Sequence, residues 1–448
     1  MEFQMENLSP ICMGTLINNI ILYLSGNDCT NTSVIKVSND NLSTNGELYF
    51  LPSLKVWKNV FQGKDVCDGK CTTILQHYLH VHGDQIDDKT DTEIAKEVLS
   101  LLISSSSDWP IKIERYFLEK ERICLFLQRA PIIHNSIRTV IEQQSEFGRI
   151  LPINKIFSLK IHQDKESELT TARLHLIQVV TKNILDLHGC KIGEEDANFK
   201  FVFTSKSQGK VENNYEKSVC GVVKNLETNT KETMLTWEKY IESKINELKT
   251  LNDQKNFDMP ESNIRIDDHF LKNIATATVT FELLSVKPSR AVFIGYNSAT
   301  DRSTTNTKGA SFILYNATRI TAIIEKYNNK KLAGEYPDLP NINDVNFSLL
   351  DQEEEWGLIY NFIIGYQEMI KDCIKYEPTF QTNPHVLCTF LSRLCQKFSV
   401  YYRRIRILTE AYDHLIPMMI ARLYMLRALQ IVLQNALSLM DIVPVSRM

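Results

Sequence analysis

The residues best suited to chemistry in this chain are tyrosines and arginines of its C-terminal half. In residues 308–327 (KGASFILYNATRITAIIEKY), Phe312, Tyr315 and Arg319 fall at i, i+3 and i+7, one face of a helix, with Asn316 beside them. Residues 384–408 (PHVLCTFLSRLCQKFSVYYRRIRIL) are amphipathic and end in Tyr401, Tyr402, Arg403, Arg404 and Arg406. Residues 421–448 are largely one long amphipathic helix that carries Arg422. Its polar stripe is Arg427, Gln430, Gln434 and Ser438, and it finishes on Met448. Aromatic rings interleaved with guanidinium groups suit single-stranded RNA, because unstacked bases need π surfaces and phosphates need planar donors. The same residues also make an ordinary core helix with a solvated face: Tyr401 reads equally as core and Arg427 as solvent-exposed.

A second set of residues could hold a metal. Cys67 and Cys71 are followed by His77, His80 and His82. Zinc fingers pair cysteines two to four apart with histidines three to five apart, but the stretch from Cys71 to His77 is far shorter than a finger. The plainer reading is a helix over residues 72–81 with histidines on its surface, and the sequence reading assigns no metal and no cofactor. Residues 63–71 (GKDVCDGKC) imitate a phosphate loop, yet five residues rather than four separate the glycines and Cys71 stands where the magnesium-binding Ser or Thr belongs. GxGxxG, GxSxG and HExxH are absent.

The elements that must position these residues follow from composition and periodicity. The chain has 448 residues, 43% apolar and 23% charged, with a net charge of −4, so it can bury real cores, and only local charge can speak for nucleic acid. Residues 351–377 carry seven acids and two lysines, whereas residues 385–448 carry eight Lys/Arg against Glu410, Asp413 and Asp441. The acidic stretch is a poor RNA surface. It opens a helix with Asp351, Glu353, Glu354 and Glu355 in the first turn and a capping box of Ser348 with Asp351. Upstream, residues 111–116 and 122–127 read as a hairpin and 132–144 as a helix. Residues 157–161, 169–187 and 190–192 then form a β-α-β unit, with a further strand over 199–204. Beyond Asp267 nearly everything has helical period.

Location is read from what is missing. Glu2 and Glu6 precede the first lysine, Lys36, and the first arginine is Arg115, so the N-terminus lacks the charge pattern of a leader. The apolar run 415–440 is interrupted by Arg422, Arg427, Gln430, Gln434 and Asn435, which argues against a membrane span. Ten scattered cysteines read as reduced thiols. The expectation is a cytoplasmic protein, with room for a nuclear fraction.

The order of the C-terminal signals resembles the DALR anticodon-binding domain of arginyl-tRNA synthetases, which has a Tyr-x-x-x-Arg helix, a middle helix ending in Tyr-x-x-hydrophobic-Leu, and a last helix finishing in Arg-Met. The likeness begins near residue 266, where residues 274–284 (IATATVTFELL) resemble the segment leading into that domain. Residues 124–148 resemble the end of the additional domain with which those enzymes touch the tRNA elbow. Residues 158–192 resemble the strand and helix around the ATP-binding HxGH signature, with Ala172, Arg173 and Gly189 in matching places. In that register HxGH is replaced by Glu168, Leu169, Thr170 and Thr171. The imidazoles that would stabilise charge on ATP are gone, and Glu168 would repel it. Residues 220–241 resemble the surroundings of the KMSKS loop, with Asn229 to Thr233 in the loop and Lys231 the one lysine able to imitate it; the TSKS at 204–207 is coincidental.

The resemblance implies a fold class of an α/β N-terminal part with a remnant of a class I Rossmann-like sheet, followed by an all-α DALR helical bundle. It implies three parts: an N-terminal α+β domain (1–150), a truncated catalytic remnant (151–265), and a connecting segment with the anticodon-binding domain (266–448). The pattern is similar to an animal family of DALR anticodon-binding-domain-containing proteins. That similarity implies a non-catalytic adaptor that binds arginine tRNAs and presents them to a methyltransferase-like enzyme making 3-methylcytidine in the anticodon loop. Tyr315, Asn316, Arg319, Tyr402 and Met448 would line the anticodon pocket, and Arg403, Arg404, Arg406, Arg422 and Arg427 would meet phosphates. The rivals are a residual arginine–tRNA ligase and a protein-only scaffold that has lost RNA binding.

Overall fold

The structure is a computed structural model. It describes residues 12–444 apart from 29–32, 64–65, 84–88, 150–154, 163–165, 209–213, 259–267, 296–308 and 377–378. The chain forms two compact units: Met1–Thr139 with Asn341–Ile364, and Val140–Pro340 with Gly365–Met448. The resemblance implies three consecutive parts. In space, residues 341–364 join the N-terminal unit.

The first unit contains α1 (Met13–Ser25), β1 (Ile35–Val37), β2 (Leu48–Phe50), α2 (Ile74–Val81), α3 (Asp91–Ser105), β3 (Ile113–Glu119) and β4 (Arg122–Leu127). Helix α4 (Arg129–Gln143) starts in it. The strands form an antiparallel sheet in the order β1-β2-β4-β3. The expected hairpin is β3–β4, and β4 is buried along nearly its whole length, which suits its unbroken apolar run ICLFL. Helices α2 and α3 each begin with a capping box, Thr73 with Gln76 and Thr90 with Glu93.

What ties residues 341–364 to this sheet is a buried carboxylate. Glu47 accepts from the Leu127 amide at 2.9 Å and from the Trp356 indole N–H at 2.8 Å, and it pairs with Arg129 at 2.9 Å. Burial nonetheless raises the Glu47 carboxyl above the usual range, against those partners. Trp356 belongs to a short helix, Glu353–Leu358, capped by Gln352 with Glu355. The expected box of Ser348 with Asp351 is not formed: Ser348 lies in a short 3-10 turn capped by Asn346, and Asp351 precedes the helix. The three glutamates do occupy the first turn, but Glu355 is fully buried, so that turn is not simply a solvated acidic face.

The second unit opens with a parallel sheet of β5 (Ile156–Ile161), β6 (Lys191–Ile192), β7 (Phe199–Thr204) and β8 (Glu216–Val219) in the order β6-β5-β7-β8. Helix α5 (Glu168–Leu187) connects β5 to β6 and makes the β-α-β unit. A separate parallel pair joins β9 (Val223–Asn225) to β10 (Val292–Ile294). Helices α6 (Trp237–Asp258), α7 (Asp268–Leu284), α8 (Ala310–Leu332), α9 (Pro384–Arg404) and α10 (Ile416–Ser438) make the rest largely helical. One core cluster gathers Leu169 of α5, Val223 and Val292 of the strand pair, Tyr240 of α6 and Val279 and Leu283 of α7.

Helix α10 is long and apolar enough to cross a membrane by length and composition alone. Its apolar residues, from Met419 through Leu437, are instead buried within the unit, as the central helix of a bundle requires. The four residues that end the chain, Met448 included, lie outside the described residues.

Candidate RNA-binding face

Helix α8 buries Ile313, Leu314, Ala317, Ile320, Ile323 and Tyr327 against its neighbours. That spacing turns Tyr315 and Arg319, one helical turn apart, to the opposite side. Helix α9 buries Leu387, Leu391, Leu394, Phe398 and Tyr401, so the next residue, Tyr402, faces outward. The two helices thereby place three side chains together. The Arg319 guanidinium carbon lies 4.5 Å from the Tyr315 ring centroid and 4.5 Å from that of Tyr402. Arg319 donates to the Tyr315 hydroxyl at 2.7 Å. Tyr315 is 46% exposed and Tyr402 39%. A guanidinium held by two partly exposed rings is worth about 0.5–1 kcal/mol per cation–π contact, and it keeps charge and π surface together at the protein boundary.

The other expected site residues divide. Asn316 does not line this surface: it is fully buried, its amide donates to the Phe312 carbonyl at 2.8 Å, and its oxygen faces Arg319 at 3.5 Å. A residue directly after an outward-facing one on a helix turns by about 100°, which takes Asn316 into the bundle. It backs Arg319 instead. Arg403 and Arg404 are exposed in the last turn of α9, where cations also complement the helix dipole; Arg403 donates to the Ser399 carbonyl at 3.2 Å.

Arg406 pairs with Glu410 at 2.7 Å, and Arg422 donates to the Arg406 carbonyl at 3.3 Å. These two arginines therefore shape the loop between α9 and α10, apart from the Arg319 cluster. Arg427 is exposed on α10, whose Gln430 donates to Thr321 of α8 at 2.9 Å. Tyr401 is fully buried, as its plainer reading had it.

Sequence reasoning missed one pair. Tyr412 and His414 stack with ring centroids 5.9 Å apart and planes 6° from parallel, and Tyr412 is 60% exposed. They sit in the irregular loop after α9, where no periodicity could have signalled them.

The residues that the sequence resemblance set in place of HxGH also lie in this unit, and they make packing contacts. At the start of α5, Glu168 accepts from the Trp237 amide at 3.0 Å and Leu169 joins the core. Thr170 is buried and accepts from the Val223 amide at 3.1 Å. Lys231 is engaged by Glu166. It lines a shallow cleft with Asn225, Thr228, Thr230 and Lys239.

Arg173 is completely buried, donating to the carbonyls of Leu283 at 3.0 Å, Arg290 at 2.8 Å, Gly221, Val286 and Lys287. Desolvation pulls its guanidinium down to about 10. Gly221 sits so close to the Arg290 backbone that a Cβ there would meet it at 2.3 Å, which is why this crossing takes glycine.

Comparison with known proteins gives these two sets of residues a common frame. Residues 313–448 match the DALR anticodon binding domain, the segment that contains Tyr315, Arg319 and Tyr402. The DALR anticodon-binding domain-containing protein 3 of Rattus norvegicus is 32% identical over 177 residues, 39% of this chain and 32% of that protein. Its counterpart in Danio rerio is 28% identical over 236 residues, 51% of this chain and 41% of that protein. The chain is thus similar to DALR anticodon-binding domain-containing protein 3 of several animals over part of its length, and it carries the DALR anticodon binding domain. Its matched segments span about a third to two fifths of the length of those proteins.

Among solved structures, the Thermus thermophilus arginyl-tRNA synthetase shares the fold, with a TM-score of 0.58 at 10% identity, covering 97% of this chain and all of that one. The fold class expected from the sequence is therefore present: a mixed α/β part with a parallel sheet, then the helical DALR domain. The chain is an arginyl-tRNA synthetase-like protein with an anticodon-binding domain over residues 313–448.

Proposed function

We propose that this chain is a non-catalytic adaptor that binds arginine tRNAs through its DALR domain and presents them to a methyltransferase-like enzyme for 3-methylcytidine formation in the anticodon loop. The observation that carries the reading is the Arg319 guanidinium laid against the exposed rings of Tyr315 and Tyr402. Splayed bases of an anticodon loop stack on such rings, and the arginine supplies a charged partner that is already oriented. Arg403, Arg404 and Arg427 add sequence-independent phosphate contacts around it. The adaptor acts in the cytoplasm, with a nuclear fraction.

The loss of ligase activity is part of the same proposal. Electrostatic stabilisation of the phosphates is a large catalytic contribution, and Glu168, Leu169 and Thr170 are committed to backbone and core contacts where that stabilisation would be needed. Gel-shift titration with an arginine tRNA against a non-arginine tRNA tests recognition. The expected result is tighter binding of the arginine tRNA, weakened by Arg319→Ala. Equal affinity for both tRNAs, or no binding, favours a protein-only scaffold. Aminoacylation with arginine, ATP and tRNA should give no product above background; charged tRNA would restore the ligase reading. Depletion of the protein should lower 3-methylcytidine in some arginine tRNAs only, and unchanged modification would remove the delivery role.

A further inference from the structure

The first unit holds a cluster that RNA binding does not use. A tight turn, Cys67–Gly69, runs through the left-handed region at Cys67 (φ 63°), Asp68 (φ 47°) and Gly69 (φ 75°) before the chain reaches α2. The turn sets two thiols against two imidazoles of that helix. The Cys67 Sγ lies 3.0 Å from Nδ1 of His77, and the Cys71 Sγ lies 3.5 Å from Nδ1 of His80. The ligand atoms of Cys67, Cys71 and His80 all lie within 4.8 Å of one another. The geometry points to a structural zinc site formed by Cys67, Cys71 and His80, with His77 as the fourth donor.

Bond lengths of about 2.3 Å for Zn–S and 2.0–2.1 Å for Zn–N at a tetrahedral angle give an S···N edge of about 3.6 Å. The Cys71–His80 separation already has that length. The Cys67–His77 contact is shorter, and a bound ion would open it by roughly 0.5 Å.

His77 is prepared for the part. It is buried, contrary to the expectation of surface histidines, and its ring meets Phe61 edge-on with centroids 4.9 Å apart. His77 and His80 are three residues apart on one helical face, and the Thr73–Gln76 capping box fixes where that helix starts.

A single cysteine–histidine contact would serve a nucleophile equally well. Two such contacts side by side make a borderline-soft donor set, which selects zinc over magnesium or calcium. Binding replaces two S–H bonds with two Zn–S bonds and releases two protons, leaving a neutral centre. The ion would then link the turn and α2.

The test uses the full chain purified without chelator. Elemental analysis should give about one zinc per chain, and the cobalt-substituted protein should show tetrahedral ligand-field and thiolate charge-transfer bands. Cys71→Ser and His80→Ala should lower metal occupancy about tenfold or more. His82→Ala should leave it unchanged, since that ring bonds the Tyr78 carbonyl at 2.7 Å instead. Should Cys71→Ser fail to fold, a mercurial added to the unmutated protein should release zinc in step with modification of two thiols. Metal-free protein whose cobalt form lacks thiolate bands, a Cys67–Cys71 disulfide in the isolated chain, or zinc retained by a folded Cys71→Ser would each overturn the assignment.

Discussion

Arg173 and Arg319 belong to the same unit and have opposite fates. Arg173 stands in α5, and its guanidinium is consumed by five backbone carbonyls with none of it exposed. Arg319 stands in the anticodon-binding domain, held by its face against two rings, with Tyr315 and Asn316 accepting from it among the described residues. A guanidinium has five N–H donors. Where the backbone takes them, the arginine is structure; where rings hold the flat face, part of the donor edge remains for a ligand. Around Arg173 the donors are spent on packing, while around Arg319 charge and ring surface stay together at the boundary of the helical domain.

The most damaging way to probe the first half of that comparison is Arg173→Ala. Removing the fork leaves several buried carbonyls unpaired, each costing about 1–3 kcal/mol, and opens a cavity. A loss of at least about 4 kcal/mol in chemical denaturation is expected. Arg173→Met restores volume but no donors, and should lose nearly as much. A loss below about 1 kcal/mol would mean that the knot of carbonyls is not what holds α5 to the strand pair.

The next effect is read by pH. His188, just after α5, is buried, and its Nδ1 lies 2.6 Å from the Tyr376 hydroxyl. Burial, aided by the Lys371 charge, lowers it to about 4 from 6.5. A histidine kept neutral in the fold binds its proton more readily when unfolded. Stability is therefore full above about pH 6.5 and falls as the pH drops toward 4, by about 3 kcal/mol in the limit. Urea unfolding across that window should show the slope, and His188→Asn should flatten it. An unchanged slope would assign the pH dependence to other groups.

The recognition half is sharpened by Arg319→Ala. Binding of an arginine tRNA should weaken roughly tenfold, about 1.4 kcal/mol, with the midpoint of thermal unfolding nearly unchanged. Arg319→Lys keeps the charge but not the flat stacked face, and should fall between the two. If Arg319→Ala unfolds the domain instead, Arg319 belongs with Arg173 on the structural side, and the contrast between the two arginines disappears.

How far the sequence could see follows the same physical division. Period alone gave the β-α-β unit, because residues 157–192 alternate strand and helix signals with a glycine between. It also gave the outward face of α8, since Tyr315 and Arg319 share a turn. It misjudged Asn316 and Ser348, where one residue of rotation or a short 3-10 turn decides the environment. The pairing of Tyr315 with Tyr402 could be suspected only from the family order of motifs, for nothing local links residues 87 positions apart. Tyr412 with His414, and the return of residues 341–364 to the N-terminal sheet through Glu47 and Trp356, depend on tertiary packing that no window of sequence contains.

The smallest predicted effect isolates the arginines beyond the stacked cluster. Arg406 is paired with Glu410, both well exposed, so the pair itself contributes at most about 0.5 kcal/mol to stability. Glu410→Gln should leave unfolding unchanged within that margin. If Arg406 meets tRNA phosphate, the substitution removes both a competing acceptor and a negative charge from the loop, and affinity should rise by up to about threefold at low salt. The gain should vanish as salt screens the loop, unlike the Arg319→Ala loss, part of which comes from stacking and persists. No gain at low salt would confine Arg406 and the Arg422 that holds its carbonyl to shaping the loop, and would leave the Tyr315–Arg319–Tyr402 surface to carry recognition.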